Sequence, residues 1–205
     1  MISFPRTTAV HRRMPKEAFY KRLTLTSAVK EKFVTDIDSI YVENSLAKES
    51  LNLLETATVK EVLLLSLWLK KQSCDRRIIE AIARQNPHKL VFMLCYEEQR
   101  QLALVFHGKL YQTEWMPEQV LSLEARGFQM DEVWESLVEQ IALPEEEHGS
   151  DLSLEERLAR QEKGKKLEKQ IAALQAKIRK EKQLNKQIEL NAELKKLIKE
   201  IDVLQ

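Results

Sequence analysis

The chain has 205 residues, with 43% hydrophobic and 32% charged positions and a formal net charge of +1. That length holds one domain with a good core plus an appendage. No run approaches the roughly 18 consecutive apolar residues that span a bilayer, so a membrane role is not expected.

The near-zero charge hides an asymmetry. Residues 1–32 carry eight Lys/Arg against two Glu, residues 163–205 carry twelve basic against six acidic, and the segment between them carries thirteen basic against twenty-four acidic. An acidic centre thus lies between two basic ends. Such ends fold back on the acidic centre, stay solvated, or contact phosphates or an acidic partner. The start, Met1 to Arg6, lacks an apolar signal-peptide core. The expected location is the cytoplasm. Two cysteines, Cys74 and Cys95, are too few for a disulfide framework and too far apart for a zinc site. Cys95 lies in the apolar run Leu90 to Tyr96, where an inert buried thiol is expected.

In chain order, residues 1–14 read as an irregular or extended arm. Pro15 opens a short helix, Lys16 to Arg22. Thr26 or Ser27 caps a second helix to about Thr35, with Val29 and Phe33 four apart. Ile37 to Glu43 alternates as a strand, and Asn44 to Thr58 connects. Val59 to Lys71 is the clearest strand. Val62 to Leu69 is apolar except for Ser66, the pattern of a strand covered on both faces. Ser73 is placed to cap a helix from Cys74 to Gln85, which Asn86-Pro87 ends. With the strand Leu90 to Tyr96, this forms a βαβ unit. Glu97 to Arg100 turns, Leu102 to His107 alternates, and Leu110 to Trp115 closes an antiparallel meander. Pro117 to Arg126 is a short helix or loop broken by Gly127. Met130 to Leu143 then carries Met130, Val133, Trp134, Leu137, Val138 and Ile141 on one stripe, which suits covering a sheet face. Pro144 stops this helix, and 145–150 is an acidic linker.

Residues 151–205 contain no aromatic residue, no proline and one glycine, Gly164. Such a segment builds no core of its own and must pair with something. Leu167, Ile171, Leu174 and Ile178 step by 4, 3, 4; Leu190, Leu194, Leu197, Ile201 and Leu204 step by 4, 3, 4, 3. Continuing the first set reaches Ile188, not Leu190, so the two seams are out of phase by two residues. Leu184 and Ile188 suit either register. A sustained rod needs a single phase. The break near Lys180 to Lys186 permits a bend, a helical hairpin or two seams facing different partners. Over it lies a basic stretch: Lys163, Lys165, Lys166, Lys169, Lys177, Arg179, Lys180, Lys182 and Lys186 against two Glu. No aromatic residues interleave with it as a base-stacking platform requires.

Signs of catalysis are sparse. His11, His88, His107 and His148 are scattered without ligand-type partners at i+3 or i+4. Four glycines supply no phosphate-binding loop, and a GxSxG elbow is absent. No cofactor is expected. A metal-dependent nuclease needs an acid on one strand and Glu/Gln-x-Lys on the next. Asp36 or Asp38 offers the acid and Lys70 the lysine, but Trp68 stands where the second metal ligand belongs. Two weaker clusters remain. Lys70 and Lys71 with Asp75, Arg76 and Arg77 gather charge where strand meets helix, and Glu114-Trp115 ends the meander.

Several stretches carry a family resemblance: Phe4-Pro5, Arg12 to Tyr20, Asn44-Ser45-Leu46 through Leu51-Asn52-Leu53, Asp75-Arg76-Arg77-Ile78, Asn86-Pro87-His88, Thr113-Glu114-Trp115-Met116, Asp131 to Trp134, and Glu189 to Leu197. Together they resemble the bacterial domain-of-unknown-function family 4391 over nearly the whole chain. The resemblance implies gene neighbourhoods of DNA helicases and DNA methyltransferases in restriction-like and anti-phage operons, and it assigns no catalytic residues. Relatives often read more polar and acidic where this chain has Leu63 to Leu69.

The expectation is therefore an α+β body, residues 1–144. Its mixed sheet combines a βαβ unit with an antiparallel meander and is flanked by helices. An acidic linker, 145–150, leads to a helical coiled-coil-like or hairpin tail, 151–205. The expected role is that of a non-catalytic accessory subunit of a DNA-processing defence or restriction-type system. It associates through the tail with itself, a helicase or a methyltransferase, and with DNA where the basic stretch meets phosphates. The alternatives are a stand-alone nucleic-acid-binding module and a divergent metal-dependent nuclease.

Overall fold

A computed structural model describes residues 2–17, 23–53, 58–144 and 152–202. The chain divides into two compact units, 1–145 and 146–205. The first is a mixed sheet flanked by helices and the second a pair of helices packed on each other. The expected Lys16–Arg22 helix and the acidic linker fall mostly outside the described residues.

The central strands are β4 (Glu61–Leu69) and β5 (Lys89–Tyr96), which run parallel from Val62↔Lys89 to Trp68↔Cys95. Helix α3 (Arg76–Gln85) joins them and completes the βαβ unit. Strand β3 (Ile37–Ala47) pairs antiparallel with β4 on one side, and β6 (Gln99–Phe106) pairs antiparallel with β5 on the other. Strands β2 (Ala9–Met14) and β7 (Lys109–Gln112) form the edges, and β8 (Met116–Pro117) also pairs with β6. Two residues of β1 (Ile2–Ser3) pair in parallel with β9 (Leu123–Glu124) in a separate small ladder.

One sheet face meets helix α1 (Ser27–Asp36) and α3; between α1 and α3 in the chain lies α2 (Lys48–Leu51), a single turn after β3. Val29 and Phe33 from α1 and Ile78, Ile79 and Ile82 from α3 bury against Ile40, Leu65, Leu67, Phe92 and Leu94. The second face meets α4 (Met130–Ala142), whose stripe Met130, Val133, Trp134, Leu137, Val138 and Ile141 is buried. Trp134 lies 6.5 Å from the ring of Phe106 on β6. Each large apolar side chain so enclosed stabilises the fold by about 1.5–3 kcal/mol. The start of α4 is fixed by Asp131, whose carboxylate accepts from the backbone N–H of Thr58 (2.8 Å) and Val59 (3.1 Å). Gly127, at φ +133°, leads into α4, where a Cβ would stand 2.7 Å from that of Glu132, so only glycine fits the turn.

Four expectations change in detail. The N-terminal arm is part of the sheet: β2 is an edge strand with a register shift between Ala9 and Arg12. Strand β3 runs on through Asn44 to Ala47 because it has partners on both sides. Helix α3 is capped by Asp75, not Ser73, and Cys74 lies before it; the Asp75 carboxylate accepts from Arg77 N at 3.0 Å. The last meander strand breaks at Thr113, whose hydroxyl accepts from Leu102 N and whose carbonyl accepts from Gln101 Nε2. These bonds hold the chain against β6 between its pairings with β7 and β8.

In the second unit, α5 (Leu154–Lys180) starts at a capping box in which Ser153 and Glu156 satisfy each other's backbone N–H groups. The helix ends at Glu181, whose side chain accepts from Lys182 N and Gln183 N, both at 2.8 Å. Helix α6 (Leu184–Asp202) follows at once. Lys163 near the start of α5 pairs with Glu200 near the end of α6 at 3.0 Å, so the two helices run antiparallel as a hairpin. The two out-of-phase seams are its two inner sides. Leu167 and Leu174 are buried, while Ile171, Ile178, Leu190, Leu194, Leu197 and Ile201 are half-buried. Leu204 lies outside the described residues. Leu184 and Ile188 join neither seam.

The α1–β3 junction supplies the most sensitive test of the body. Asp36 is 2% exposed and pairs with Lys71 at 2.9 Å, accepts from Thr35 Oγ1 at 3.0 Å, and its carbonyl accepts from Lys70 N at 2.9 Å. Burial pushes its carboxyl up, but hydrogen bonds from Lys71 and Thr35 and the Lys71 charge outweigh this and hold it below the usual value. A depressed folded-state value gives stability that is complete above about pH 4, the ordinary aspartate range, and is lost as pH falls through the lower folded value. Asp36→Asn is expected to cost about 1.5–3 kcal/mol at neutral pH and to flatten this acid sensitivity. Urea unfolding followed by tryptophan fluorescence measures it, because Trp68, Trp115 and Trp134 all lie in the body. Phe33→Ala, at a fully buried ring, is expected to cost about 3–5 kcal/mol in the same measurement.

Candidate functional site

The hairpin presents all nine predicted basic residues to solvent: Lys163, Lys165, Lys166, Lys169, Lys177, Arg179, Lys180, Lys182 and Lys186 are exposed. Of these nine, Lys163 closes an ion pair within the described residues. Helical spacing sets Lys165, Lys169 and Lys180 with Ala172, Ala173 and Ala176 on the side of α5 turned from its seam. The alanines leave the lysines as the tallest groups there, a surface that admits close approach by an anionic partner. On α6, Leu184 and Ile188 are 70% and 60% exposed, four residues apart on one face.

The charge cluster at the start of α3 resolves into local pairs. Arg77 forks onto Asp75 with contacts of 2.6–3.3 Å, and these hydrogen bonds hold the Asp75 carboxyl below its usual value. Lys70 Nζ donates to the Val34 carbonyl at 3.1 Å, and Arg76 is exposed. Trp115 packs half-buried on the first-face core while Glu114 is exposed. These residues do not form a common site. Of the nuclease residues, Asp36 is committed to Lys71, and Trp68 stands on β4 between β3 and β5. Among the described residues no three His, Cys, Asp or Glu converge to hold a metal. Burial pushes both thiols up to about 12, far from the thiolate state that makes cysteine reactive.

Sequence reasoning missed a polar cluster on the second sheet face. Residues paired across strands share a face, so the pairings Tyr41↔Ser66, Ser39↔Trp68, Trp68↔Cys95 and Cys95↔Arg100 lay one surface across four strands. Ser66 is fully buried, and its hydroxyl donates to Glu43 Oε1 at 2.5 Å. Glu43 Oε2 takes His11 Nδ1 at 2.8 Å, and the imidazole stacks on Tyr41 with ring centroids 5.6 Å apart. An ionised carboxylate only accepts, so this contact puts a proton on Nδ1 and leaves Nε2 of a neutral ring as an acceptor toward solvent. Both Glu43 and His11 sit at register shifts, and His11 adopts φ +41°, uncommon for a residue with a Cβ. The Arg100 guanidinium lies 5.0 Å from the Trp68 ring centre and pairs with Glu118 at 2.5 Å. His11, Asp38, Ser39, Tyr41, Glu43 and Trp68 line a cleft of about 270 Å³.

The same chemistry recurs toward the other end of β4. Ser45 on β3 bonds Glu61 on β4, and His88 Nδ1 meets Glu61 Oε2 at 3.0 Å. In each case a glutamate on one strand clamps a serine on its neighbour and steadies a histidine. In both places the Ser–Glu contact joins β3 to β4. Ser66, the one polar residue in the apolar run of β4, was the single signal in the sequence. Its acceptor Glu43 lies 23 positions away, and the His11 that Glu43 holds lies 32 positions before Glu43.

An α+β body with a polar sheet-face cleft, joined to a helical hairpin with a basic outer surface, defines the class. The chain belongs to the family described as Domain of unknown function (DUF4391), which matches residues 2–201. No curated protein and no solved structure matches it.

Replacing Glu43 by Ala strands the buried Ser66 hydroxyl without its acceptor, and the expected cost is about 1–3 kcal/mol in urea unfolding. In the unchanged protein, ¹⁵N spectra of the imidazoles at neutral pH are expected to show His11 as the Nδ1–H tautomer. In Glu43→Ala that preference disappears.

Proposed function

We propose that this protein is a non-catalytic accessory subunit of a bacterial DNA-processing system of restriction-like or anti-phage type. It acts through contacts made by its helical hairpin. The observation that carries the reading is the division of labour in the hairpin. Its inner seams are spent on each other, whereas its nine basic side chains and the Leu184–Ile188 pair face outward. A helix pair of this kind is built to be gripped. The family resemblance supplies the partner class, a helicase or DNA methyltransferase encoded alongside, with self-association as the other outcome. In this role the protein works in the cytoplasm; no described helix is long and apolar enough to cross a membrane. The raised thiols support a role without catalysis.

A second reading, direct binding to nucleic acid, is favoured by the basic side of α5 alone. Two sets of variants separate them. Leu184→Glu with Ile188→Glu alters side chains that are already exposed, so the hairpin is expected to stay folded and the protein to lose co-purification with the neighbouring helicase or methyltransferase. Lys165→Glu, Lys169→Glu and Lys180→Glu are expected to spare that capture. If DNA is bound directly, the affinity of the unchanged protein falls steeply with salt, and the triple variant flattens the slope by about 0.9 for each phosphate it no longer neutralises. Retained capture in the apolar double variant would exclude Leu184 and Ile188 as the contact, and failure of the unchanged chain to capture either neighbour or a second copy of itself would end the accessory reading.

A further inference from the structure

The cleft on the second sheet face is selective in its chemistry. Asp38 offers a carboxylate that has no hydrogen-bond or ion-pair partner among the described residues, and Glu43 offers a second carboxylate already fixed by Ser66 and His11. His11 Nε2, in the neutral ring, accepts. Ser39 and Tyr41 add hydroxyls that either donate or accept. Three rings, those of His11, Tyr41 and Trp68, complete the lining, and among the described residues no lysine or arginine belongs to it. Charged acceptors and π faces together call for a cationic donor. A phosphate would meet two negative carboxylates there.

Two features narrow the ligand further. Trp68 is 37% exposed, and the Arg100 guanidinium already lies over its ring with its charge matched by Glu118. The indole therefore makes within this fold the contact a visiting guanidinium would make. A planar guanidinium stacks on rings and forks onto a carboxylate in one pose, which a lysine ammonium, a compact point charge, does not do. The second observation is rigidity. Glu43, His11 and Tyr41 are locked by the buried Ser66 hydroxyl, the imidazole contact and the ring stack, so little side-chain freedom is lost on binding.

We infer that this cleft receives an arginine side chain from the protein partner, stacked against Tyr41 and Trp68 and forked onto Asp38. The inference rests on the proposed role as a subunit that binds another protein, and it names the group the partner presents to the sheet. Arg13, opposite Tyr41 on β2, shares the face but does not line the cleft.

The full-length chain is titrated with the capped tripeptide acetyl-Gly-Arg-Gly-amide while amide and indole ¹H–¹⁵N shifts are followed. Saturable shifts are expected at Asp38, Tyr41 and the Trp68 indole, with a Kd on the order of 1 mM for one side chain. The citrulline tripeptide, neutral and of nearly the same shape, is expected to bind at least about tenfold more weakly, the equivalent of one charged hydrogen bond. Asp38→Asn and Trp68→Leu are expected to weaken the arginine peptide by a similar factor. Asp38 is exposed, so its variant keeps the fold; matching amide spectra away from the cleft verify this. Equal binding of citrulline, indifference to Asp38→Asn, preference for guanosine monophosphate, or no saturable shift at tens of millimolar would each overturn the assignment. The hairpin variants test the accessory role separately, so a cleft without arginine binding leaves that reading standing.

Discussion

Two parallel strands buried on both faces set the terms for this fold. β4 and β5 carry Leu64, Leu65, Leu67, Phe92, Leu94 and Cys95 at almost no exposure, so over most of their length neither strand leaves a side for water, and Trp68 at the end of β4 opens onto the cleft. Their backbone groups need partners at both edges, which β3 and β6 supply in antiparallel register. Their side chains need cover on both faces, which α1 and α3 give on one and α4 gives on the other. Ser66 then becomes the exception with consequences. A hydroxyl at zero exposure must find an acceptor; Glu43 provides it from the next strand and, once fixed, holds His11. The polar cleft is thus a product of one serine placed inside an apolar strand.

What the sequence discloses follows from the range over which each feature is encoded. α1, α3, α4, β4 and β5 carry their own periodicity, and their presence and order are readable from the residues alone. β2 is not, because an exposed edge strand of the sequence Ala-Val-His-Arg-Arg-Met has no apolar alternation and exists through its pairing with β3. The cap of α3 falls two residues from its expected place because Ser73 and Asp75 both suit an N-cap, and the carboxylate that takes Arg77 N wins. The break at Thr113 depends on side-chain bonds to Gln101 and Leu102, twelve and eleven positions away. In the tail the phase shift between seams is legible, and its resolution depends on the three residues at the turn, where Glu181 ends one helix and its carboxylate binds the first free N–H groups of the next. The cleft is least legible, since His11, Glu43 and Ser66 come from three strands and meet only after the sheet forms.

The two surfaces ask for opposite things. The hairpin's outer side offers lysines and arginines, so whatever lies along it must present negative charge. The cleft offers carboxylates and ring faces, so whatever enters it must be a cation. A DNA duplex presents its backbone as phosphate at regular intervals and has nothing of fixed positive charge to place in the cleft. A folded protein surface carries both signs within a short distance, and its arginines are among the residues most concentrated where interfaces are strongest. In the proposed role a protein of mixed charge can supply a ligand to each surface, whereas DNA suits the hairpin alone.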